Sequence, residues 1–431
     1  MRHRLPALAL AFVLPTALAA QGASPARTAA RTAARSAALG AAAFFPARLE
    51  RLDSWVNGLI AQKQLPGAVV MIVKDGQVAV HKAYGARELG APAPMRRDDI
   101  FRMASQTKAI TSLAVMMLWE EGKFQLDDPI SKYIPAFKNQ TILVKFNSAD
   151  SSYESKPTKR RTTIRQLLTH TGGLDYAGIG SDEFKAIYAK AGITAMGRAG
   201  DVLADRVDAL GRMPLKQEPG DRFTYSLSID VLGRLVEVLS GLPLDQFFRT
   251  RIFEPLRMPD TWFELPAAKR NRLVALHVLN DDSVTVAARH APDAKQPESI
   301  HPDWPTQRWT YFAGGGGLSG TTADYARFLQ LFLNMGELDG VRLLGRKTVE
   351  MMLTNQIGTL QPPFGLGFQL ETADADFRSP ASLGTFSWGG AFKTTYWADP
   401  REQLIALIYT NVLSPLDITG PFRALVYSSL R

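Results

Sequence analysis

Between residues 105 and 119 the chain is largely apolar, most of all after Lys108, and this run ends at Glu120-Glu121-Gly122. A helix that is apolar on most of its faces has to be enclosed by other elements of a large core. Gly122 is well placed to end the helix, because glycine readily adopts the left-handed conformation found after helices. With 431 residues, 46% of them hydrophobic and 21% charged, the chain is long and apolar enough to form that core. We therefore predict a globular fold built around a buried central helix.

Strand-forming runs lie towards both ends of the chain. Residues 67–73 and 77–84 favour two strands, and Lys74-Asp75-Gly76 between them favours a tight hairpin turn. Further strands are predicted at residues 365–370, 384–389, 394–397 and 404–410, and helices at residues 49–56, 323–335 and 421–430. The pattern predicts one antiparallel sheet built from both ends of the chain, with a mainly helical insert between them.

The first residues have the pattern of a secretory signal peptide. Met1-Arg2-His3-Arg4 is basic, residues 5–18 are apolar, and Ala17-Leu18-Ala19 fits a small-x-small cleavage site. The apolar stretch is shorter than the roughly 20 residues that a membrane-spanning helix needs. We therefore expect cleavage near Ala19 or Ala20, no stable membrane span, and a periplasmic or secreted protein.

The predicted organisation has three parts. These are a signal peptide at residues 1–20, a flexible Ala- and Arg-rich lead-in at 21–47, and a folded domain at 48–430. The folded domain is predicted to have an α/β part, at about 48–105 and 318–431, and a helical part, at about 106–317. Within the helical part, residues 138–161 are polar and basic and are expected to form a surface excursion.

Composition and missing motifs exclude several classes of protein. The chain has no cysteine, which excludes disulfides and a thiol nucleophile. Its formal net charge of +9 is not accompanied by a helix-turn-helix, zinc finger or aromatic-basic platform, so nucleic-acid binding is not expected. The six histidines are scattered and form no His-Glu-x-x-His, so neither a metal nor a cofactor is expected. A Ser-His-Asp hydrolase would need a Gly-x-Ser-x-Gly motif, which the chain lacks.

A Ser-x-x-Lys motif, Ser105-Gln106-Thr107-Lys108, stands at the start of the apolar run. Its spacing places the serine hydroxyl and the lysine amine on one helical face. The helix N-terminus favours a developing anion at Ser105. Burial against apolar surface is expected to lower the pKa of Lys108, so that the amine accepts the serine proton. The alternative is an N-cap serine followed by a solvated lysine, but the apolar residues after Lys108 favour the catalytic interpretation.

Several motifs in order carry a resemblance to a known superfamily. They are Phe101-Arg102-Met103-Ala104-Ser105-Gln106-Thr107-Lys108, Leu126-Asp127-Asp128-Pro129-Ile130, Leu167-Leu168-Thr169-His170-Thr171-Gly172-Gly173-Leu174, and the Gly-rich stretch 314–325. From about residue 50 to 430 the chain resembles the serine β-lactamase and penicillin-binding-protein superfamily, in the class C β-lactamase-related branch and nearest its family VIII carboxylesterases. The resemblance implies a three-layer α/β sandwich, in which helices flank an antiparallel sheet, with a mainly helical second subdomain.

The same resemblance implies a second catalytic box at Phe223-Thr224-Tyr225-Ser226-Leu227. Tyr225 would be the phenol that, near Lys108, moves the proton between the nucleophile and the leaving group. Leu227 stands where the family carries an asparagine that hydrogen-bonds a substrate amide. Leucine has no polar side-chain atom, so amide-containing substrates lose one contact.

The third box is Trp388-Gly389-Gly390, where β-lactamases carry Lys-Thr-Gly on an edge strand. The N–H groups of Ser105 and Ala391 would form the oxyanion hole. Trp388, Gly389, Gly390 and Gln106 are expected to contact the substrate. Tryptophan is neutral, so a substrate carboxylate should be held less well than by lysine. Lys393 either compensates in part or is a solvated lysine, and the latter interpretation is favoured.

These residues leave three functions open. The leading one is a carboxylesterase that acts on small esters through an acyl-enzyme. A β-lactamase or D-alanyl-D-alanine carboxypeptidase, with a β-lactam-like substrate, is the alternative enzyme. The third is a non-catalytic binding protein of the same fold, which the retained Ser105, Lys108 and Tyr225 disfavour. His170 is expected to have a structural role.

Overall fold

The computed structural model describes residue 40 and residues 42–198, 200–280, 283–287, 304–308, 310–374 and 378–431. The predicted signal peptide and most of the predicted lead-in lie outside the described residues. Within these ranges, no helix is both long enough and apolar enough to cross a membrane.

The strands of the described residues range from two to nine residues in length. They are β1 (Gly67–Lys74), β2 (Gln77–Gly85), β3 (Phe101–Arg102), β4 (Thr141–Asn147), β5 (Ser152–Pro157), β6 (His277–Asn280), β7 (Ser283–Val286), β8 (Ser319–Gly320), β9 (Glu337–Leu338), β10 (Val341–Arg342), β11 (Gln369–Leu370), β12 (Phe386–Gly390), β13 (Thr394–Asp399), β14 (Leu404–Tyr409) and β15 (Val412–Leu413).

Most helices lie between the strands of the two chain ends. They are α1 (Pro46–Ala61), α2 (Thr107–Glu120), α3 (Ile164–Leu168), α4 (Asp182–Lys190), α5 (Leu203–Gly211), α6 (Ser228–Ser240), α7 (Leu244–Phe248), α8 (Thr322–Leu333), α9 (Arg346–Met352) and α10 (Thr419–Ser429).

The main sheet has six antiparallel strands in the order β11-β12-β13-β14-β1-β2. Strands β1 and β2 come from the N-terminal part of the chain and the other four from the C-terminal part, which confirms the predicted sheet. The strand predicted at residues 365–370 forms only at Gln369–Leu370. The chain turns just before it, where Gly367 has a φ of 101° and the Gly365 N–H donates to the Phe368 carbonyl over 2.8 Å.

Strand β14 shows why the sheet is covered on both faces. Leu404, Ala406 and Ile408 pack into the cluster formed with α1 and α10. Ile405, Leu407 and Tyr409 pack into the larger cluster formed with α2 and α8. Because successive side chains of a strand point to opposite faces, a strand that is apolar at every position requires a layer on each side. The result is the expected three-layer sandwich.

The central helix α2 is enclosed as its composition predicts, since every residue from Thr107 to Leu118 is buried. Gly122 follows its end with a φ of 71°. Helix α6 packs directly against α2 and belongs to the helical part of the molecule. The polar stretch 138–161 contains the hairpin β4–β5, and all six residues of β5 are exposed.

The end of β12 approaches the turn that carries Ser105. A Cβ atom at Gly390 would clash with the carbonyl oxygen of Met103 and with the Thr394 hydroxyl. Gly58 in α1 has no atom within 4 Å of the corresponding position. The two glycines therefore form a matched pair for substitution.

We expect Gly390→Ala to lower the free energy of unfolding by about 1–3 kcal/mol, because the strand must move away from the turn. Gly58→Ala should raise it by about 0.5–1 kcal/mol, because alanine is the better helix former. Urea denaturation of both variants measures the difference. Equal stability of the two variants would contradict the close approach at Gly390.

Candidate active site

Ser105 lies in a single turn of 3₁₀ helix, Ala104–Gln106, directly before α2. Ala104 has a φ of 46°, a left-handed conformation that is unfavourable for a residue with a Cβ. The surrounding structure holds this turn: the Met103 N–H donates to the Leu318 carbonyl over 2.9 Å, and the Thr107 hydroxyl donates to the Ala104 carbonyl over 2.7 Å. Local backbone strain of this kind persists only where neighbouring contacts fix it, and it is common at functional sites.

The structure brings together three side chains that the sequence analysis selected. The Tyr225 hydroxyl donates to Ser105 Oγ over 2.6 Å, although the two residues are 120 positions apart in the chain. Lys108 Nζ donates to the same oxygen over 3.3 Å. Lys108 Nζ also lies 4.7 Å from the ring centroid of Tyr225. The serine oxygen is therefore within hydrogen-bonding distance of both the phenol and the amine.

The amine of Lys108 is enclosed, and its other partners were not predicted from the sequence. It donates to the Gly315 carbonyl over 2.6 Å and to the Tyr176 hydroxyl over 3.4 Å. The Gly315 N–H donates in turn to Oδ1 of Asp230 over 3.1 Å. Asp230 is 1% exposed, and its Oδ2 is buried without a hydrogen-bond partner. One residue of the Gly-rich stretch, Gly315, thus connects a buried carboxyl group to the buried amine.

The pKa of Lys108 differs from the expectation. Burial does oppose the charged form, but the phenol oxygens of Tyr176 and Tyr225 and the carboxylate of Asp230 favour it more strongly, so the pKa of Lys108 is raised. Burial raises the pKa of Asp230 to about 6, although the charge of Lys108 opposes this rise. The expectation of a lysine with a lowered pKa is therefore wrong, because it considered burial without the charges enclosed beside the amine.

Aromatic rings fix the position of Tyr225. The ring of Tyr176 stacks on it at a centroid distance of 5.3 Å, and the ring of His170 lies 4.8 Å away. His170 Nδ1 forms a hydrogen bond of 3.2 Å with the Ser226 hydroxyl. Burial and the charge of Lys108 lower the pKa of His170 well below its usual value. His170 is thus a neutral, buried neighbour of Tyr225.

Ser105 opens into a cavity of about 640 Å³. The cavity is lined by Ser105, Ile179, Tyr225, Gln369, Arg378, Ser379, Pro380, Ser387, Trp388, Gly389, Ala391, Thr395, Tyr396, Thr419, Gly420 and Arg423. The predicted residues Trp388, Gly389 and Ala391 are therefore beside the serine. The rings of Trp388 and Tyr225 lie 5.4 Å apart, so the tryptophan forms one wall next to the phenol.

Other predicted residues lie elsewhere. Gln106 is fully buried and its Oε1 accepts a hydrogen bond from the Tyr409 hydroxyl, so its side chain lies in the core and not in the cavity. Gly390 faces the Met103 carbonyl. Leu227 is 1% exposed and packs in the core before α6. Lys393 is not among the lining residues. It lies in the turn between β12 and β13, where burial lowers its pKa.

Sequence reasoning missed Tyr176, Asp230 and the Gly315 carbonyl. Asp230 carried a usable signal, since an acidic residue in the otherwise apolar run 229–233 needs a buried partner. Tyr176 follows a recognised motif but belongs to no motif itself. Within the ranges that the structure describes, no group of three or more His, Cys, Asp or Glu side chains could hold a metal ion.

Comparison with known proteins gives consistent matches. The family model Beta-lactamase matches residues 52–425. Protein Rv1367c of Mycobacterium tuberculosis (strain ATCC 25618 / H37Rv) is 34% identical over 359 residues, covering 80% of this chain and 85% of that protein. Esterase EstB of Burkholderia gladioli is 30% identical over 378 residues, covering 84% and 90% respectively. A putative D-alanyl-D-alanine carboxypeptidase of Escherichia coli (strain K12) is 28% identical, covering 86% and 83%.

The fold has a match among solved structures. EstCE1, described as a hydrolase with promiscuous acyltransferase activity, superimposes with a TM-score of 0.73 at 24% sequence identity. The match covers 88% of this chain and 97% of EstCE1.

The buried pair of Asp230 and Lys108 leads to a pH prediction. Because the pKa of Asp230 is about 6, its carboxylate is present above pH 6 and is lost as the pH falls through that value. We expect kcat/KM for an ester to decline over the same range. Asp230→Asn should remove this decline and lower kcat/KM roughly 10-fold at pH 8, equivalent to about 1.4 kcal/mol.

Asp245→Asn is the control, because burial also raises the pKa of Asp245 but its charged neighbours are Arg249 and Glu264, whereas Asp230 faces Lys108. Its pH profile should match that of the unmodified protein. A decline near pH 6 that persists in Asp230→Asn would contradict the assignment. His170 does not complicate the comparison, because its own pKa lies well below its usual value.

Proposed function

We propose that this chain is a carboxylesterase of small esters that works through an acyl-enzyme at Ser105. The chain belongs to the beta-lactamase family, as its motifs predicted, and it is a serine hydrolase. The observation that carries the proposal is the pair of hydrogen bonds from Tyr225 and Lys108 to one serine oxygen that opens into the cavity. Its leader sequence supports a periplasmic or secreted location, which is also part of the proposal.

In the proposed mechanism, Tyr225 acts as a phenolate beside the Lys108 ammonium. Ser105 Oγ bonds to the ester carbonyl carbon while its proton passes along the 2.6 Å contact to the phenolate oxygen of Tyr225. The N–H groups of Ser105 and Ala391 stabilise the carbonyl oxygen as it becomes negative. Tyr225 then donates a proton to the alcohol oxygen as the C–O bond breaks, and water hydrolyses the acyl-serine to release the acid. The Lys108 ammonium stabilises the negative charge that the phenol oxygen bears during the transfer.

Two side chains support esters over amides and β-lactams. Leu227 offers no hydrogen bond to a substrate amide, and it is buried in the core. Trp388 lines the cavity with a neutral aromatic ring where the family's β-lactamases carry a lysine. An ester needs neither contact, since its main requirement is a positioned nucleophile with an oxyanion hole.

One observation supports the second candidate, a β-lactamase or D-alanyl-D-alanine carboxypeptidase. Arg378 and Arg423 also line the cavity, and a guanidinium group is a good partner for a carboxylate. The charge of Arg423 is already paired with Glu371, whose Oε1 lies 2.7 Å from Nη1 of the arginine. The esterase therefore remains the leading candidate.

The substrate is tested with p-nitrophenyl butyrate and nitrocefin. We expect turnover of the ester by the unmodified protein, and its loss in Ser105→Ala, because the attacking oxygen is gone. Mass spectrometry of the unmodified protein should show an added acyl group on Ser105. Rapid nitrocefin turnover without ester turnover would favour the second candidate. Ester turnover that survives in Ser105→Ala would exclude the mechanism, and no turnover or acylation would favour a binding protein.

The phenol is tested with Tyr225→Phe, which keeps the stacked ring and removes only the hydroxyl. Proton transfer by a positioned side chain contributes about 10²–10⁴-fold, and we expect a fall in kcat of that order. Tyr153→Phe is the matched control, because Tyr153 is exposed on β5. A Tyr225→Phe protein that keeps most of its kcat would contradict Tyr225 as the group that takes the serine proton.

A further inference from the structure

Ile179 stands out among the apolar side chains at the surface. Nine large apolar side chains are exposed in the described part of the chain, and Ile179 is the most exposed of them at 69%. It is also the only one of the nine that lines the cavity containing Ser105. The free energy falls when an apolar ligand covers a large apolar side chain that is otherwise exposed to water.

The loop that carries Ile179 is closed on both sides of it. The Gly180 N–H donates to the Tyr176 carbonyl over 3.1 Å. Asp175 Oδ2 accepts hydrogen bonds from the N–H and the hydroxyl of Ser181, over 3.1 and 3.0 Å. A Cβ atom at Gly180 would clash with the Tyr176 carbonyl, so this tight loop requires glycine there. The exposure of Ile179 therefore belongs to a fixed conformation of the loop.

The same loop is anchored to the catalytic centre. Lys216 Nζ lies 2.7 Å from Asp175 Oδ2, which fixes the start of the loop. Tyr176, three residues before Ile179, stacks on Tyr225 and contacts Lys108. The loop thus holds an apolar side chain at a defined place relative to the groups that react with the substrate.

We infer that Ile179, with the rings of Trp388 and Tyr225, forms a binding wall for a hydrocarbon group of the substrate. The inference rests on the proposed esterase function and specifies its substrate class: esters that carry an alkyl or aryl group of about four or more carbons next to the reacting carbonyl. The acyl part and the alcohol part of an ester both fit this chemistry, and the experiment separates them.

The test measures kcat/KM for two series of esters. One series varies the acyl chain (p-nitrophenyl acetate, butyrate and octanoate), and the other varies the alcohol (ethyl, butyl and octyl acetate, followed by acid release). In Ile179→Ser we expect about a tenfold loss, mainly through KM, for the long members of one series. The acetate with the short alcohol should change less than twofold. Ile179→Leu should restore the preference, because leucine presents a similar apolar surface.

Val144→Ser is the matched control, since Val144 is 57% exposed on β4 and does not line the cavity. It should leave both series unchanged. The inference is overturned if Ile179→Ser alters no ester, or alters short and long esters by the same factor.

A binding measurement separates this inference from the proposed function. Boronic acids bond reversibly to reactive serine hydroxyls, so calorimetry with methyl- and butylboronic acid tests the wall without turnover. We expect the unmodified protein to favour butylboronic acid and Ile179→Ser to lose that preference. If no ester is hydrolysed, the esterase proposal fails, but the boronic acid affinities still show whether Ile179 forms an apolar binding wall. Equal affinity of both proteins for butylboronic acid excludes the acyl side, and the inference is overturned if the alcohol series is unchanged as well.

Discussion

The buried ammonium group of Lys108 is the constraint on which the rest of the site depends. A charge can be enclosed in a core only if polar partners surround it. Those partners come from separate stretches of the chain: the Ser105 hydroxyl, the Tyr176 hydroxyl and the Gly315 carbonyl, with the Asp230 carboxyl behind Gly315. Helix α2 is therefore central for two reasons. It provides much of the apolar core, and it carries the charge around which the helical part and the Gly-rich stretch converge.

The main sheet fixes the other side of the serine. The Thr394 hydroxyl on β13 donates to the Met103 carbonyl over 3.2 Å, two residues before the nucleophile. Asn411, just after β14, accepts a hydrogen bond of 3.1 Å at its Oδ1 from the Arg102 N–H. Because β13 and β14 are fully buried inner strands, these contacts start from a rigid support. The C-terminal strands thus position a turn that lies about 300 residues earlier in the chain.

Features that depend on local sequence could be predicted, whereas features that depend on contacts between distant residues could not. Alternation and apolar runs revealed β1, β2, β14 and α2, because these elements are decided by local pattern. Ser105 and Tyr225 were found through motifs, and the structure brings them within hydrogen-bonding distance. The direction of the shift in the Lys108 pKa was missed because it depends on Tyr176 and Asp230, which come close to Lys108 only in the folded structure. The buried position of Gln106 was missed for a similar reason: the 3₁₀ turn directs its side chain towards Tyr409.

Buried residues and cavity-lining residues have different tasks in this site: the first set its charge balance, and the second contact the substrate. Of the described residues, Lys108, Tyr176 and Asp230 set the charge balance, yet none of them lines the cavity. Side chains that a substrate cannot touch cannot distinguish one substrate from another by direct contact. Discrimination must therefore come from the lining residues, among which Ile179, Trp388 and Arg423 differ in polarity and charge. Replacing Ile179 or Trp388 removes no charge, whereas replacing Asp230 leaves an ammonium group without its counter-charge. The specificity of this fold can therefore change while its proton-transfer machinery stays intact.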